Sequence, residues 1–275
     1  MKHALGQWFW ICASLAVALT AGTLAVWGFA WWTALLIALF LVCPALVVWG
    51  VIGTGRGLEL PGEPVPETRG MTLNRLAPVY DWYCPKIGLG PRFREESLKH
   101  AALRPGERVL EVGCGTGVLS RLAAETAGPA GAAVGIDPAP RMIAVARHNA
   151  RAEGSHAAFR LAAMERLPFP DASFDVVLSS LMFHHLPPET KREGLREVLR
   201  VLVPGGRLFL VDVDRPANLL WWLVVWPFLL MPMTAPNLRG QVAAFVAEAG
   251  FSQVEARGRW WQLITFWTAV KPKGD

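Results

Sequence analysis

The stretch VLEVGCGTG, residues 109–117, decides the fold class of this 275-residue chain. It begins as a strand pattern that contains one acid, Glu111, and a helical pattern follows it. Three glycines stand at alternate positions between the two: Gly113, Gly115 and Gly117. Glycine lets the backbone turn sharply and approach a ligand, and open α/β sheets bind ligands at the carboxyl ends of their strands. The stretch therefore predicts a nucleotide-type site at the end of a strand.

Three nucleotide ligands compete for this glycine loop. A phosphate-binding P-loop needs Lys and Ser or Thr after its last glycine, but Val118 and Leu119 stand there. A dinucleotide site needs the spacing GxGxxG, and Glu111 would face the pyrophosphate with unfavourable negative charge. S-adenosylmethionine carries an ammonium group and a cationic sulfur, which an acid suits. The loop therefore favours S-adenosyl-L-methionine as the cofactor.

A second signal follows in AVGIDPAPRMIAVAR, residues 133–147. A hydrophobic strand ends in Asp137, twenty residues after Gly117. A carboxylate at the tip of a second strand can accept hydrogen bonds from both ribose hydroxyls. The alternative is that Asp137 only caps the helix that starts after Pro138.

Strand patterns alternate with helical patterns from Val109 onward, which predicts parallel strands joined by helical crossovers. The predicted fold is α/β, a Rossmann-like seven-stranded sheet with helices on both faces. The predicted strands are 108–112, 132–136, 157–161, 175–179, 206–212, 252–258 and 263–270. The predicted helices are 93–101, 117–127, 140–152, 188–201 and 238–249.

Residues 72–272 resemble the class I S-adenosylmethionine-dependent methyltransferases of the methyltransferase type 11 kind. They are most similar to the branch that contains ubiquinone and menaquinone biosynthesis C-methyltransferases, sterol-type enzymes and bacterial phospholipid N-methyltransferases. Four segments carry the resemblance: NRLAPVYDWY (74–83), VLEVGCGTG (109–117), LPFPDASFDVVLSSLMFHHL (167–186) and LREVLRVLVPGGRLFLVD (195–212). They indicate the superfamily and leave the substrate open.

The resemblance implies a set of cofactor contacts. The glycine loop lies against the cofactor, Glu111 contacts or orders the methionyl amine, and Asp137 holds the ribose. Met142 covers one face of the adenine, or else is a core methionine. The implied cofactor-binding set is Glu111, Gly113, Cys114, Gly115, Gly117, Asp137, Pro138, Met142 and Met164.

One position departs from the family pattern. Relatives carry an Asp four residues before the Leu-Pro-Phe run, where it accepts a hydrogen bond from the adenine amino group, but this chain has Ala163. The resemblance leaves the Met164 backbone to meet the adenine edge, with Glu165 as a possible substitute acceptor.

The catalytic candidates are Tyr80, His184 and His185. Methyl transfer from a sulfonium mainly requires correct positioning, so a strong base is optional. The resemblance places Tyr80 and its neighbour Asp81 on an N-terminal lid, where Tyr80 could orient the substrate. One histidine is expected to face the site as a proton acceptor, while the other packs or caps.

The N-terminal segment contains no charged residue and no His from Ala4 to Gly55. This is long enough for two membrane spans of ~20 residues, placed near 7–28 and 31–52. Bases flank both ends and the turn between the spans has none, so both ends are predicted to face the cytoplasm. A cleaved signal peptide is the alternative, but its shorter apolar core leaves the second span unexplained. The predicted organisation is a transmembrane hairpin (1–55), a linker (56–70) and a catalytic domain (71–275).

The composition limits which classes of partner the chain is expected to bind. Twenty-seven Lys and Arg against 22 Asp and Glu give a net charge of +5, with no basic run, and predict no nucleic-acid binding. Four scattered Cys predict neither a metal site nor a disulfide framework. The oligomeric state is left open.

An apolar insertion near 215–236 follows the fifth predicted strand. Its segment Leu219–Met233, LLWWLVVWPFLLMPM, has no charge and is too short to cross a membrane comfortably. It predicts an interfacial cap beside the substrate site. The sequence thus predicts a membrane-bound methyltransferase for a hydrophobic acceptor, a quinone precursor or lipid. The alternatives are a tethered enzyme for a soluble acceptor and a non-catalytic cofactor-binding scaffold.

Overall fold

The computed structural model of the chain describes residues 60–274. The predicted hairpin lies outside these residues. Within them, no helix is both long and apolar enough to cross a membrane. The part of the predicted linker that is described, residues 60–70, contains no helix or strand. It nevertheless contacts the domain, because Glu63 pairs with Arg147 at 2.6 Å and Arg69 pairs with Glu193.

The described residues form an α/β fold with one seven-stranded sheet, as predicted. The strands are β1 (Arg108–Val112), β2 (Ala132–Asp137), β3 (Ala158–Leu161), β4 (Phe174–Ser180), β5 (Leu202–Val213), β6 (Ser252–Trp260) and β7 (Ile264–Val270). The helices are α1 (Ala77–Tyr83), α2 (Pro91–Ala101), α3 (Val118–Ala127), α4 (Pro140–Glu153), α5 (Pro188–Val201), α6 (Leu219–Val225), α7 (Ala235–Leu238) and α8 (Val242–Glu248). Short 3₁₀ turns cover Cys84–Ile87, Phe183–His185 and Trp226–Leu230.

The strand order is β3-β2-β1-β4-β5-β7-β6, with β7 antiparallel to both of its neighbours and the other pairs parallel. The chain moves outward from β1 to β3 and then returns to place β4 on the other side of β1. Connections on the two sides of β1 therefore diverge, which opens a crevice at its carboxyl end. This topology positions the candidate site.

Both faces of the sheet are buried, which explains the continuous apolar runs of its central strands. Val109 and Val176 pack in one core cluster, whereas Leu110 and Val177 pack in the other. Because successive strand residues point to opposite faces, one short apolar run supplies both cores.

The helix predicted over 238–249 is present as α8 but begins four residues later. The positions before it hold the last residue of α7 and a turn at Gly240, whose φ of 77° is left-handed. A glycine adopts this conformation without steric cost and interrupts the helical hydrogen-bond ladder.

Candidate functional site

A cleft lies at the carboxyl ends of β1, β2 and β4. Eight of the twelve predicted site residues line it: Tyr80, Gly113, Gly115, Asp137, Pro138, Met142, Met164 and His185. The other four, Glu111, Cys114, Gly117 and His184, do not. The segment 68–73, which sequence reasoning placed at the linker boundary, also lines the cleft. Hydrogen bonds from Met71 N to His185 O (3.0 Å) and from Arg69 N to Glu165 Oε1 (3.3 Å) fasten this segment over it.

The first two loop glycines both have left-handed backbone, and Gly113 also has no room for a side chain. Gly113 and Gly115 have φ values of 69° and 54°, which side-chain-bearing residues rarely adopt. A Cβ at Gly113 would lie 2.1 Å from Met182 Cγ. A Cβ at Gly115 would meet only Tyr80 and Met142, at 3.9 and 4.0 Å, so this position faces the open cleft.

The other predicted loop residues have a packing role. A Cβ at Gly117 would lie 2.5 Å from the Phe159 ring and 3.0 Å from Ala146 Cβ, so this glycine leaves the space that these two side chains fill. Cys114 is buried against Gly135, and burial raises the pKa of its thiol. Gly117 and Cys114 therefore pack against the core side of the loop and not against the cleft.

Asp137 ties the glycine loop to the tip of β2. Its Oδ2 accepts a hydrogen bond from Gly115 N at 3.1 Å, and its Oδ1 accepts one from Ala139 N at 2.8 Å. A carboxylate has about four acceptor positions, so two remain for hydroxyl donors. Burial raises the pKa of Asp137 to about 6.

Glu111 lies on β1 and is fully buried, with its carboxylate accepting a hydrogen bond from the Ser120 hydroxyl. Burial raises its pKa to about 7, against the opposing effects of the Ser120 bond and nearby Arg94. Glu111 does not line the cleft.

At the β3 end of the cleft, Glu165 supplies a hydrogen-bond acceptor that Ala163 cannot supply. Glu165 lines the cleft, and its Oε2 is buried without a hydrogen-bond partner among the described residues. Met142 is buried in the wall with Ala77 and Ala139, whereas the Met164 side chain packs on Gly194. An orphaned carboxylate oxygen beside an apolar wall fits an adenine with its amino group.

The lid residue Tyr80 lies on α1 and lines the cleft. Burial raises the pKa of its phenol, so the hydroxyl remains protonated. Its neighbour Asp81 accepts hydrogen bonds from the Thr116 hydroxyl at 2.5 Å and from Asn149 Nδ2 at 3.2 Å. Asp81 thus fastens the lid to the glycine loop and to α4.

The two histidines have different partners, as the sequence led us to expect. His184 Nδ1 lies 2.6 Å from Oδ1 of Asp212, which is completely buried at the end of β5. His185 lines the cleft, and its buried Nδ1 has no partner within the described part of the chain. Burial and then the adjacent His184, whose ring centroid is 4.0 Å away, lower the pKa of His185 to about 4.

Comparisons with known proteins agree on the class. A family model described as a methyltransferase domain matches residues 109–206. The chain is 30% identical over 239 residues to a ubiquinone/menaquinone biosynthesis C-methyltransferase from Ectopseudomonas mendocina, covering 78% of this chain and 93% of that protein. It is 32% identical over 226 residues to a demethylmenaquinone methyltransferase from Thermus thermophilus, covering 74% and 99%.

Solved structures show the same fold. A crystal structure described as a SAM-dependent methyltransferase from Aquifex aeolicus superposes with a TM-score of 0.53 at 21% identity. The match covers 64% of this chain and 88% of that one.

Proposed function

This chain belongs to the class I S-adenosylmethionine-dependent methyltransferases, and we propose that its methyl acceptor is a hydrophobic molecule of the membrane, either a quinone precursor or a lipid. S-adenosylmethionine supplies a methyl group already activated on a cationic sulfur. The protein's task is therefore to hold the two reactants in line and to exclude water.

The residues of the cleft fit the cofactor. Asp137 would accept the ribose hydroxyls, Glu165 Oε2 the adenine amino group, and Met142 would cover the adenine. The loop between Gly113 and Gly115 would carry the methionyl part.

His185 is suited to orient the acceptor. Its low pKa keeps the imidazole neutral at physiological pH, which avoids placing a second positive charge beside the sulfonium. The unpartnered Nδ1 can accept a hydrogen bond from a hydroxyl on the acceptor and so orient it.

An exposed apolar surface carries the proposal of a hydrophobic acceptor. We define the apolar surface as seven exposed residues of α6 and the turn after it: Leu219, Leu220, Leu223, Val224, Trp226, Phe228 and Leu230. Leu219 and Leu230 are 73% and 78% exposed. Contiguous apolar patches of this kind mark interaction or membrane sites.

The residues that follow the apolar surface in the chain, Met233 and Thr234, are linked by hydrogen bonds to the segment that holds His184 and His185. Lys191 Nζ, buried on α5, donates hydrogen bonds to Leu186 O and to Met233 O. The Thr234 hydroxyl donates to His184 O at 3.2 Å. A bilayer against the apolar surface would therefore lie next to the acceptor side of the cleft.

The tryptophans of this insertion divide into two groups. Trp226 is 58% exposed, whereas Trp221 and Trp222 pack against the core. Trp221 also stacks on Trp261, with ring centroids 6.2 Å apart. Membrane contact is thus proposed for the leucines and Trp226, and support of the fold for the other two.

Two further observations support the proposal. The two relatives described above are named for ubiquinone/menaquinone biosynthesis and for demethylmenaquinone. The charge-free segment 4–55 is proposed to anchor the domain on the cytoplasmic side of a membrane. The bilayer would then be the partner that delivers the acceptor.

The test replaces Leu220, Leu223 and Leu230 together with Ser in the full-length protein. Methylation of a demethylated quinone embedded in phosphatidylcholine–phosphatidylglycerol vesicles should fall roughly tenfold or more, because each leucine loses about 1.5–3 kcal/mol of apolar transfer. A short-chain, water-soluble analogue should be methylated at an unchanged rate.

The matched control replaces Leu60 and Val65, which are exposed elsewhere at 53% and 60%, with Ser. It should leave both rates unchanged. Equal loss on both acceptors in the leucine variant would point to a fold defect, and no loss on either would remove the apolar surface from acceptor delivery.

A further inference from the structure

Two arginines of the domain are equally buried but differ in their partners. Arg94 and Arg121 are each 9% exposed. Arg121 pairs with Glu153 at 2.7 Å and donates to Thr116 O at 2.8 Å. Arg94 has one hydrogen bond, from Nη1 to Ser180 Oγ at 3.1 Å, and no carboxylate partner within the described residues. Since buried charges are normally paired, Arg94 lacks an anion.

The position of Arg94 indicates which anion is missing. The neighbouring strands β3, β2, β1 and β4 end respectively near Glu165, Asp137, the glycine loop and Ser180. The roles proposed above for Glu165, Asp137 and the glycine loop would place the adenine, ribose and methionyl parts of the cofactor in the same order along the sheet edge. Strands are about 4.8 Å apart, so Ser180 lies roughly 10 Å from Asp137, at the far end of the methionyl part.

The charges near Arg94 match that end of the cofactor. Glu111 is buried on β1, and Arg94 is close enough to affect its pKa without forming a salt bridge to it. Tyr80 and Ser180 both line the cleft, whereas Arg94 lines a second pocket and reaches the edge of the cleft through its hydrogen bond to Ser180. A zwitterionic amino acid group, with an ammonium and a carboxylate, complements a separated acid and base.

We propose that Arg94 binds the α-carboxylate of S-adenosylmethionine. Ser180 is then a positioning residue, because its hydroxyl accepts a hydrogen bond from the Arg94 guanidinium and orients it. Arginine offers five N–H donors in a planar fork that matches a carboxylate, and four remain after the bond to Ser180. The assignment depends on the cofactor and is independent of the acceptor. The sequence around Arg94 does not indicate a role in cofactor binding.

The test measures binding by calorimetry with full-length protein and two ligands, S-adenosylmethionine and its decarboxylated form. The wild type should bind S-adenosylmethionine at least tenfold more tightly than the decarboxylated form. Arg94→Met should remove this preference by weakening only the carboxylate-bearing ligand, and Arg94→Lys should restore part of it.

Arg121→Met is the matched control and should keep the full preference between the two ligands. Ser180→Ala should lower the preference by a smaller factor, which gives a second variant should Arg94→Met fail to fold. Equal affinity of the wild type for both ligands would overturn the assignment, as would an undiminished preference in folded Arg94→Met.

Discussion

The two halves of the cleft edge differ in how they present chemistry. On the side of β1, β2 and β3, the cleft presents two carboxylates, Asp137, which Gly115 and Ala139 hold, and Glu165, which Arg69 N holds. On the side of β4 and β5, His185 lines the cleft with a ring nitrogen that has no partner among the described residues, and Thr234, which follows the apolar surface in the chain, contacts the adjacent His184. The first half suits a polar cofactor whose groups have fixed positions. The second suits an acceptor recognised mainly by its apolar character.

The largest effect is expected on the cofactor side. Asp137→Ala removes two proposed ribose hydrogen bonds to a charged acceptor, which together contribute about 3 kcal/mol, so cofactor affinity should fall roughly a hundredfold. Calorimetry provides the measurement. Asp175→Ala, which removes a carboxylate paired with Arg108 and outside the cleft lining, should leave affinity unchanged. Unchanged binding in folded Asp137→Ala would refute the ribose assignment.

A smaller effect is expected on the acceptor side. His185→Leu removes the free acceptor nitrogen, and turnover should fall by about 2 kcal/mol, or roughly thirtyfold, while cofactor affinity stays within twofold. Steady-state kinetics and calorimetry separate the two quantities. His148→Leu, at an exposed position on α4, is the control. If the His185 variant loses as much cofactor affinity as turnover, the assignment of His185 to the acceptor side of the cleft is wrong.

The smallest effect concerns pH. Burial raises the pKa of Asp137 to about 6 and of Glu111 to about 7, so both are largely protonated at pH 5. A ligand that needs Asp137 in its ionised form must displace the proton of this acid below pH 6, and its affinity should therefore fall about tenfold as pH drops from 7.5 to 5.

His185, with a pKa of about 4, stays neutral over this range. Glu111→Gln removes a carboxyl group that does not line the cleft and should leave this part of the affinity profile, which Asp137 sets, unchanged. Calorimetry in two buffers of different ionisation enthalpy would detect the proton released on binding. A flat wild-type profile would contradict the buried-acid account.

Sequence predicted the sheet well because its signals are local. Alternating apolar runs and the spacing of glycines depend on neighbouring residues, and all seven predicted strands are present with small shifts at their ends. The helix predicted from residue 238 begins four residues later because of a single residue, Gly240, whose left-handed backbone the surrounding helical pattern concealed.

The site was less predictable because burial depends on tertiary packing. Arg94 lies in PRFREESLKHA, a sequence that resembles an exposed helix, and only the packing of α2 against the sheet buries it. Likewise, the sequence of the insertion does not reveal that Trp221 and Trp222 turn inward. Alternate residues of the glycine loop also face opposite directions, which separates Gly113 and Gly115 from Cys114.

Mass spectrometry tests the proposed acceptor most directly. Full-length protein would be incubated with a membrane lipid extract and methyl-labelled S-adenosylmethionine, and the organic and aqueous phases analysed for the label. If the acceptor is a hydrophobic molecule of the membrane, the label should appear in a hydrophobic species of the organic phase. The rate of labelling should be higher when the extract is supplied as vesicles than when it is dissolved in detergent. Label found only in a water-soluble product would contradict this proposal, and would indicate that the apolar surface serves another purpose than delivering the acceptor.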